Sequence, residues 1–161
     1  MAMPLLAYHL TWTCYGQWLP GDDRGYVDRR HRVPGTPYPD GDPQRYNAAA
    51  NALSEAPCWL NPCQRRLAAE GIGNACAAQG WAVAALNVQP DHVHALVQTP
   101  GVGGRHAIRV LKAFATRRLR QAFPARRRWW TKGGKVETVL TQQRLAQLVR
   151  YVENQRYPAV P

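Results

Sequence analysis

The stretch 81–98, WAVAALNVQPDHVHALVQ, constrains the fold more than any other part of the chain. Two apolar runs, 81–89 and 92–99, are rich in Val, Ala and Leu and are split by a short polar turn at Gln89–Asp91. Runs of this length and composition, punctuated in this way, read as two strands. Side chains two apart on a strand share a face, so His92 and His94 project together while Val93 points the other way. Two neutral imidazoles held side by side supply half of a divalent-metal site. A pair of packed core histidines would give the same pattern, and a metal reading needs further ligands from elsewhere in the chain.

The remaining pattern supplies the other elements. Residues 7–16, AYHLTWTCYG, alternate and carry aromatic and β-branched side chains, as a strand does. Residues 18–43 are dense in Gly, Pro and Asp and read as a long irregular connection, part of a loop insertion at about 18–60. Residues 61–80 read as a helix, with Asn61 as cap and Pro62 at its first position. Residues 104–123 form a second helix, its apolar stripe made by Ile108, Leu111, Ala115 and Leu119. Gly133–Gly134 inside 126–140 suggests a hairpin of two short strands. A last helix over 141–156, capped by Thr141, buries Leu145, Leu148, Val149 and Val152. The order predicts one α+β domain over 1–161 with a ferredoxin-like, RRM-like antiparallel sheet, helices on one face and an added C-terminal helix.

Charge narrows the partner. From Gly101 onward fourteen Lys and Arg stand against Glu137 and Glu153, a net +12, whereas residues 1–100 sum to about −1. Only three of the cations are Lys. Arginine forks onto phosphate oxygens and stacks on bases, so a nucleic acid is the expected partner. Candidate contacts are Arg109, Lys112, Arg117 and Arg118 on the 104–123 helix, then Arg126, Arg127, Arg128 and Trp130. Aromatics among arginines stack unpaired bases, but adjacent Trp129 and Trp130 face opposite ways on a strand, so one belongs to the core. No run of about 18 apolar residues exists to span a membrane. The N-terminus has no basic start ahead of a long apolar run, so no signal peptide is expected and the cytoplasm is the expected place. Cys14, Cys58, Cys63 and Cys76 match no zinc spacing and are expected reduced and buried.

The last helix offers what the histidines lack. In YVENQ, Tyr151 and Gln155 stand at i and i+4, on one helical face. A glutamine carbonyl suits a hard cation, and a tyrosine hydroxyl beside a metal-polarised phosphate is a usable nucleophile. Asp91 and His9 are the candidates for orienting the imidazoles from behind.

DHVHALV resembles the His-hydrophobic-His motif of the HUH endonuclease superfamily, and YVENQ resembles the catalytic tyrosine and glutamine of its single-tyrosine transposases of the insertion-sequence (200/605) type. YHLTWTCYGQWLPGD and WWTKGG resemble the related REP-associated tyrosine transposases. The likeness spans about residues 7–156. It departs from the REP-associated pattern at Gln155, where that group carries an Asn-Pro run after the tyrosine.

The resemblance implies a single-stranded DNA transposase acting beside a hairpin. Tyr151 would form a 5′-phosphotyrosine link and release a 3′-OH; His92, His94 and Gln155 would hold Mg²⁺ or Mn²⁺ on the scissile phosphate. A homodimer with exchanged tyrosine helices, as in insertion-sequence relatives, and a monomer, as in REP-associated ones, are both compatible with the chain. The alternative function is a domesticated protein that grips hairpin DNA or RNA without cutting it.

Overall fold

The sheet is built around strand β1 (Ala7–Thr13), whose alternation sends Leu10 and Trp12 to one side and His9, Thr11 and Thr13 to the other. A computed structural model describes residues 4–26 and 37–160; residues 27–36 of the expected connection lie outside the described residues. β1 pairs antiparallel with β3 (His92–Gln98) on one side and with β4 (Lys135–Val139) on the other. β3 in turn pairs with β2 (Ala82–Val88), so the four-stranded antiparallel order is β2-β3-β1-β4. The α+β fold is therefore the one expected, with the turn after β2 where it was read.

Helices α2 (Pro62–Gln79) and α3 (Gly104–Ala122) cover one face. α2 begins as its sequence predicts. The Asn61 side chain accepts from Gln64 N at 2.9 Å, the Gln64 side chain accepts from Asn61 N at 3.0 Å, and Pro62 opens the first turn. Ile108, Leu111, Ala115 and Leu119 of α3 are buried against Leu10, Trp12, Val93, Ala95 and Val97. The two helices approach closely because residue 71 is glycine: a Cβ there would stand 2.7 Å from Ala115 Cα.

Helix α4 (Gln142–Glu153) lies on the opposite face. Thr141 Oγ1 caps it by accepting from Arg144 N at 3.1 Å. Its Leu148 and Val152 are buried with Ala7, Ala85, Leu96 and Val139, while Leu145 and Val149 are half-buried at the margin. The sheet is thus a middle layer, and His92 and His94 share their face with Leu96, on the α4 side.

Three expectations are corrected. No hairpin forms at Gly133–Gly134. Trp130 bridges Cys14 and Lys135–Val139 pair with Thr11–Ala7, so both segments run along the same strand with the glycines as an interruption between them. Gly134 passes so close to β1 that a Cβ would stand 2.9 Å from Thr11 O, and a glycine pair marks a bulge as readily as a turn. Within the insertion, residues 43–51 form a short helix, α1 (Pro43–Asn51), capped by Asp42 and with no buried residue. Finally, Cys63 is exposed, although Cys14, Cys58 and Cys76 are buried as expected and all four are free.

Candidate active site

A polar cluster occupies the α4-side face of the sheet where the apolar stripe of α4 runs out. The register sets it out: Thr13 stands opposite His92, Thr11 opposite His94, and His9 opposite Glu137. His92 Nε2 and His94 Nε2 converge to 3.1 Å. Behind His92, Asp91 Oδ1 lies 2.7 Å from Nδ1. Behind His94, His9 Nε2 lies 3.0 Å from Nδ1, and His9 Nδ1 is 3.5 Å from Glu137 Oε2. Arg144 closes the row, donating to Glu137 Oε1 at 2.8 Å through Nε and standing 2.7 Å away through Nη2.

These partners assign the protons. A carboxylate only accepts, so Asp91 fixes Nδ1–H on His92 and Glu137 favours Nδ1–H on His9. His9 Nε2 then accepts from His94 Nδ1–H. Both His92 Nε2 and His94 Nε2 are left with lone pairs that face each other. Burial, then the neighbouring His92 and His9, holds the His94 imidazole down to about 3, so it stays neutral. His9 is lowered as well, chiefly by burial. Burial would raise the Asp91 carboxyl, but its hydrogen bond to His92 and the charge of Arg24 keep it below the usual carboxylate range.

Two opposed lone pairs 3.1 Å apart suit a shared cation. Two neutral imidazole nitrogens turned toward one point are ligands that divalent cations accept, so the residues fit a divalent metal. Among the described residues no group of three or more His, Cys, Asp or Glu is placed to hold a metal ion.

Tyr151 stands over this pair in the same chain. Its ring meets His94 edge-on at 5.4 Å between centroids and His9 at 6.1 Å, and the residue is 53% exposed. Gln155 is placed differently from the helical expectation. α4 ends at Glu153 and turns at Asn154, so Gln155 is not on the helical face of Tyr151; its Nε2 folds back to donate to Tyr151 O at 2.7 Å. That bond uses the amide nitrogen and leaves Oε1 as the donor atom available to a cation.

Residues that the sequence did not single out fix the end of α4. Asn87 and Gln89 are buried on the edge strand and the turn after it. Asn87 Nδ2 donates to Val152 O at 3.0 Å and Tyr157 O at 3.3 Å. Gln89 Nε2 donates to Tyr157 O at 2.7 Å while its Oε1 accepts from Tyr157 N at 3.1 Å. Arg65 of α2, also buried, donates to Val88 O at 2.6 Å and Pro158 O at 2.8 Å. The only sequence signal was a pair of amides two apart closing an apolar strand.

Comparison with known proteins now decides the family. Residues 56–155 match the family model described as "Transposase IS200 like". The chain belongs to the IS200-like transposase family. The matched span includes His92, His94, Tyr151 and Gln155. No curated protein matches the chain. A crystal structure of a protein assigned as a transposase from Deinococcus radiodurans R1 is similar at 22% identity, covering 98% of this chain and 95% of that one with a TM-score of 0.49. A REP-associated tyrosine transposase bound to a REP hairpin shares the fold, with a TM-score of 0.54 at 11% identity over 95% of this chain and 68% of that one.

The expected DNA contacts of this IS200-like transposase differ in their surroundings, and Arg117 lies over the Phe114 ring at 4.9 Å. Arg109, Arg117 and Arg120 line an open groove of about 800 Å³ along α3, on the layer opposite the histidines. Lys112 lines it too, but its ammonium donates to Thr131 O at 2.7 Å and to Gly133 O, and burial lowers it to about 8, so it is tied to the β4 approach rather than free for phosphate. Arg118 pairs with Glu70 at 2.9 Å. Arg126 donates to Ala56 O and Arg128 O, and the amides of Arg127 and Arg128 bond the Glu55 carboxylate. Trp129 is core, as one of the two had to be, and half-buried Trp130 donates to Thr116 Oγ1 at 3.0 Å. Thr131 joins the two layers: its carbonyl takes Lys112, and its Oγ1 lies 2.7 Å from Thr13 Oγ1, beside His92.

Proposed function

We propose that this IS200-like transposase cleaves and rejoins single-stranded DNA with Tyr151 as nucleophile. One observation carries the reading: the Tyr151 ring stands edge-on 5.4 Å from His94, whose Nε2 converges with that of His92. His92 and His94, with Gln155 Oε1 as third donor, would hold Mg²⁺ or Mn²⁺. When bound, the cation neutralises phosphate charge and orients phosphorus for in-line attack. Asp91 and His9 keep both Nε2 lone pairs turned toward the site. Tyr151, half exposed, gives its phenolic proton to solvent. Its oxygen bonds to phosphorus as the P–O3′ bond breaks, leaving a 5′-phosphotyrosine and a 3′-oxygen that takes a proton from solvent to become the free 3′-OH. A second 3′-OH then attacks the same phosphorus, the P–O(Tyr) bond breaks, and Tyr151 regains its proton. The diester energy is stored in the protein–DNA bond, so rejoining needs no nucleotide cofactor.

The partner in this reading is a DNA hairpin with a single-stranded flank; the REP-associated tyrosine transposase that shares the fold is bound to a REP hairpin. The exposed α3 arginines would contact its phosphates, and such contacts position without reading sequence. In this reading the attacking tyrosine is the one that lies over the histidines of its own chain, and the contact of Tyr151 with His94 supports attack in cis.

A denaturing gel with end-labelled hairpin oligonucleotides, run with Mn²⁺ and with EDTA, tests the proposal. A metal-dependent protein–DNA adduct lost in Tyr151→Phe is expected. Tight binding without any adduct would instead establish the hairpin-binding alternative.

A further inference from the structure

Trp18 is the only described non-glycine residue with a positive φ, +53°. A bulky side chain adopts that backbone region at a cost, and such strain persists where the surroundings enforce it. Here the surroundings are a built platform. The Arg24 guanidinium lies over the Trp18 ring at 4.5 Å. It is held flat by Asp22, which accepts from Arg24 Nε at 2.9 Å and from Nη2 at 2.6 Å, and which also accepts from Arg24 N at 2.9 Å. Asp22 is 4% exposed, so the fork is anchored in the protein, yet Trp18 keeps 39% of its surface open. One face of the indole is occupied by a cation and another part is offered to solvent.

The platform stands beside the histidines. Thr13 is the register partner of His92, and Cys14 N donates to Asp91 O at 2.8 Å. Gln17 then turns back, its amide donating to Cys14 O at 3.1 Å and its side chain to Cys58 O at 3.0 Å, and Trp18 follows directly. The Arg24 charge also acts on the Asp91 carboxyl.

We propose that Trp18, backed by Arg24, is the stacking site for an unpaired nucleobase adjoining the scissile phosphate. The proposal rests on the single-strand reading above. Stacking on an aromatic ring tolerates any base, and a guanidinium on the far side adds cation–π attraction while its charge faces the backbone. The site orders one flanking nucleotide and so sets which phosphate Tyr151 meets.

Photocross-linking tests this on the wild-type chain in EDTA, where no cleavage competes. Hairpin oligonucleotides with a single-stranded thymidine tail carry 5-iodouracil at successive tail positions, and the modified residue is mapped by mass spectrometry. One tail position should cross-link, at Trp18. Trp18→Leu should lose that cross-link and weaken tail binding about 5- to 150-fold, whereas Trp18→Phe keeps both. A cross-link at Trp59 or Trp130 instead, unchanged affinity in Trp18→Leu, or no binding by wild type overturns the proposal. A Trp18 cross-link in a protein that forms no Tyr151 adduct would leave the stacking site standing and sink the cleavage reading alone.

Discussion

His9 Nε2 lies 3.0 Å from His94 Nδ1, with the two rings stacked at 5.2 Å between centroids, across the β1–β3 pairing. This contact makes the orientation of His94 depend on a residue 85 positions earlier. It continues through Glu137 to Arg144, so β4 and the first turn of α4 also bear on the orientation of His94.

His9→Ala is expected to weaken Mn²⁺ binding by about 10- to 100-fold, the usual effect of removing an outer partner of a liganding histidine. Calorimetric titration of the metal-free protein reads it directly. His9→Gln, which returns an acceptor, should recover part of the loss; equal affinity in all three proteins would reduce His9 to packing.

The metal-free protein should lose stability as pH falls below about 6.5, the unfolded value of a histidine. His94 is held down to about 3 by burial, so the unfolded chain takes up a proton that the native chain refuses. Its contribution is complete above pH 6.5 and shrinks toward pH 3. Urea midpoints measured in EDTA across that window should fall for wild type and flatten in His94→Leu.

Gln89→Ala should destabilise the fold by about 1–3 kcal/mol, because the Tyr157 amide loses its buried partner and the Tyr157 carbonyl keeps only the longer bond from Asn87 Nδ2. Hydrogen exchange at the Tyr157 amide should accelerate in step. The adduct yield should fall while hairpin affinity holds, since Gln89 is not on the α3 groove.

Replacing Arg109 and Arg117 together with alanine should lower the salt dependence of single-strand binding by about 0.7 per lost phosphate contact. The cleavage position should not move. An unchanged slope would remove the α3 groove from the DNA path.

Gly71→Leu should cost about 1–3 kcal/mol by overpacking the α2–α3 contact, where even a Cβ stands 2.7 Å from Ala115 Cα. The thermal midpoint would show it.

Much of this arrangement was legible in residue order. Alternation placed His92 and His94 on one face, and 3.6-residue spacing placed the stripes of α3 and α4 correctly, because both elements bury a single face. What escaped follows from geometry that periodicity does not encode. Two glycines read alike whether they turn a chain or let it slide past a neighbour, so the Gly133–Gly134 interruption looked like a hairpin. Helical spacing through Gln155 assumed that α4 continues, yet the buried amides of Asn87 and Gln89 draw the chain away just beyond Glu153. Lys112 falls on the polar side of its helix by spacing, but only the folded path of Thr131–Gly133 shows that its charge is already engaged.

The helix that carries Tyr151 is held at both ends by different strands, at its start through Arg144 and Glu137 on β4 and at its finish through Asn87 on β2. It behaves as a beam with two supports spanning the sheet. Anchors at opposite ends oppose a shift of the helix along its axis, and with it a shift of the Tyr151 ring off the histidines. The placement of Tyr151 therefore depends on the outermost strands of the sheet, and a search for variants that displace it, if it samples only the central strands, would pass over both supports.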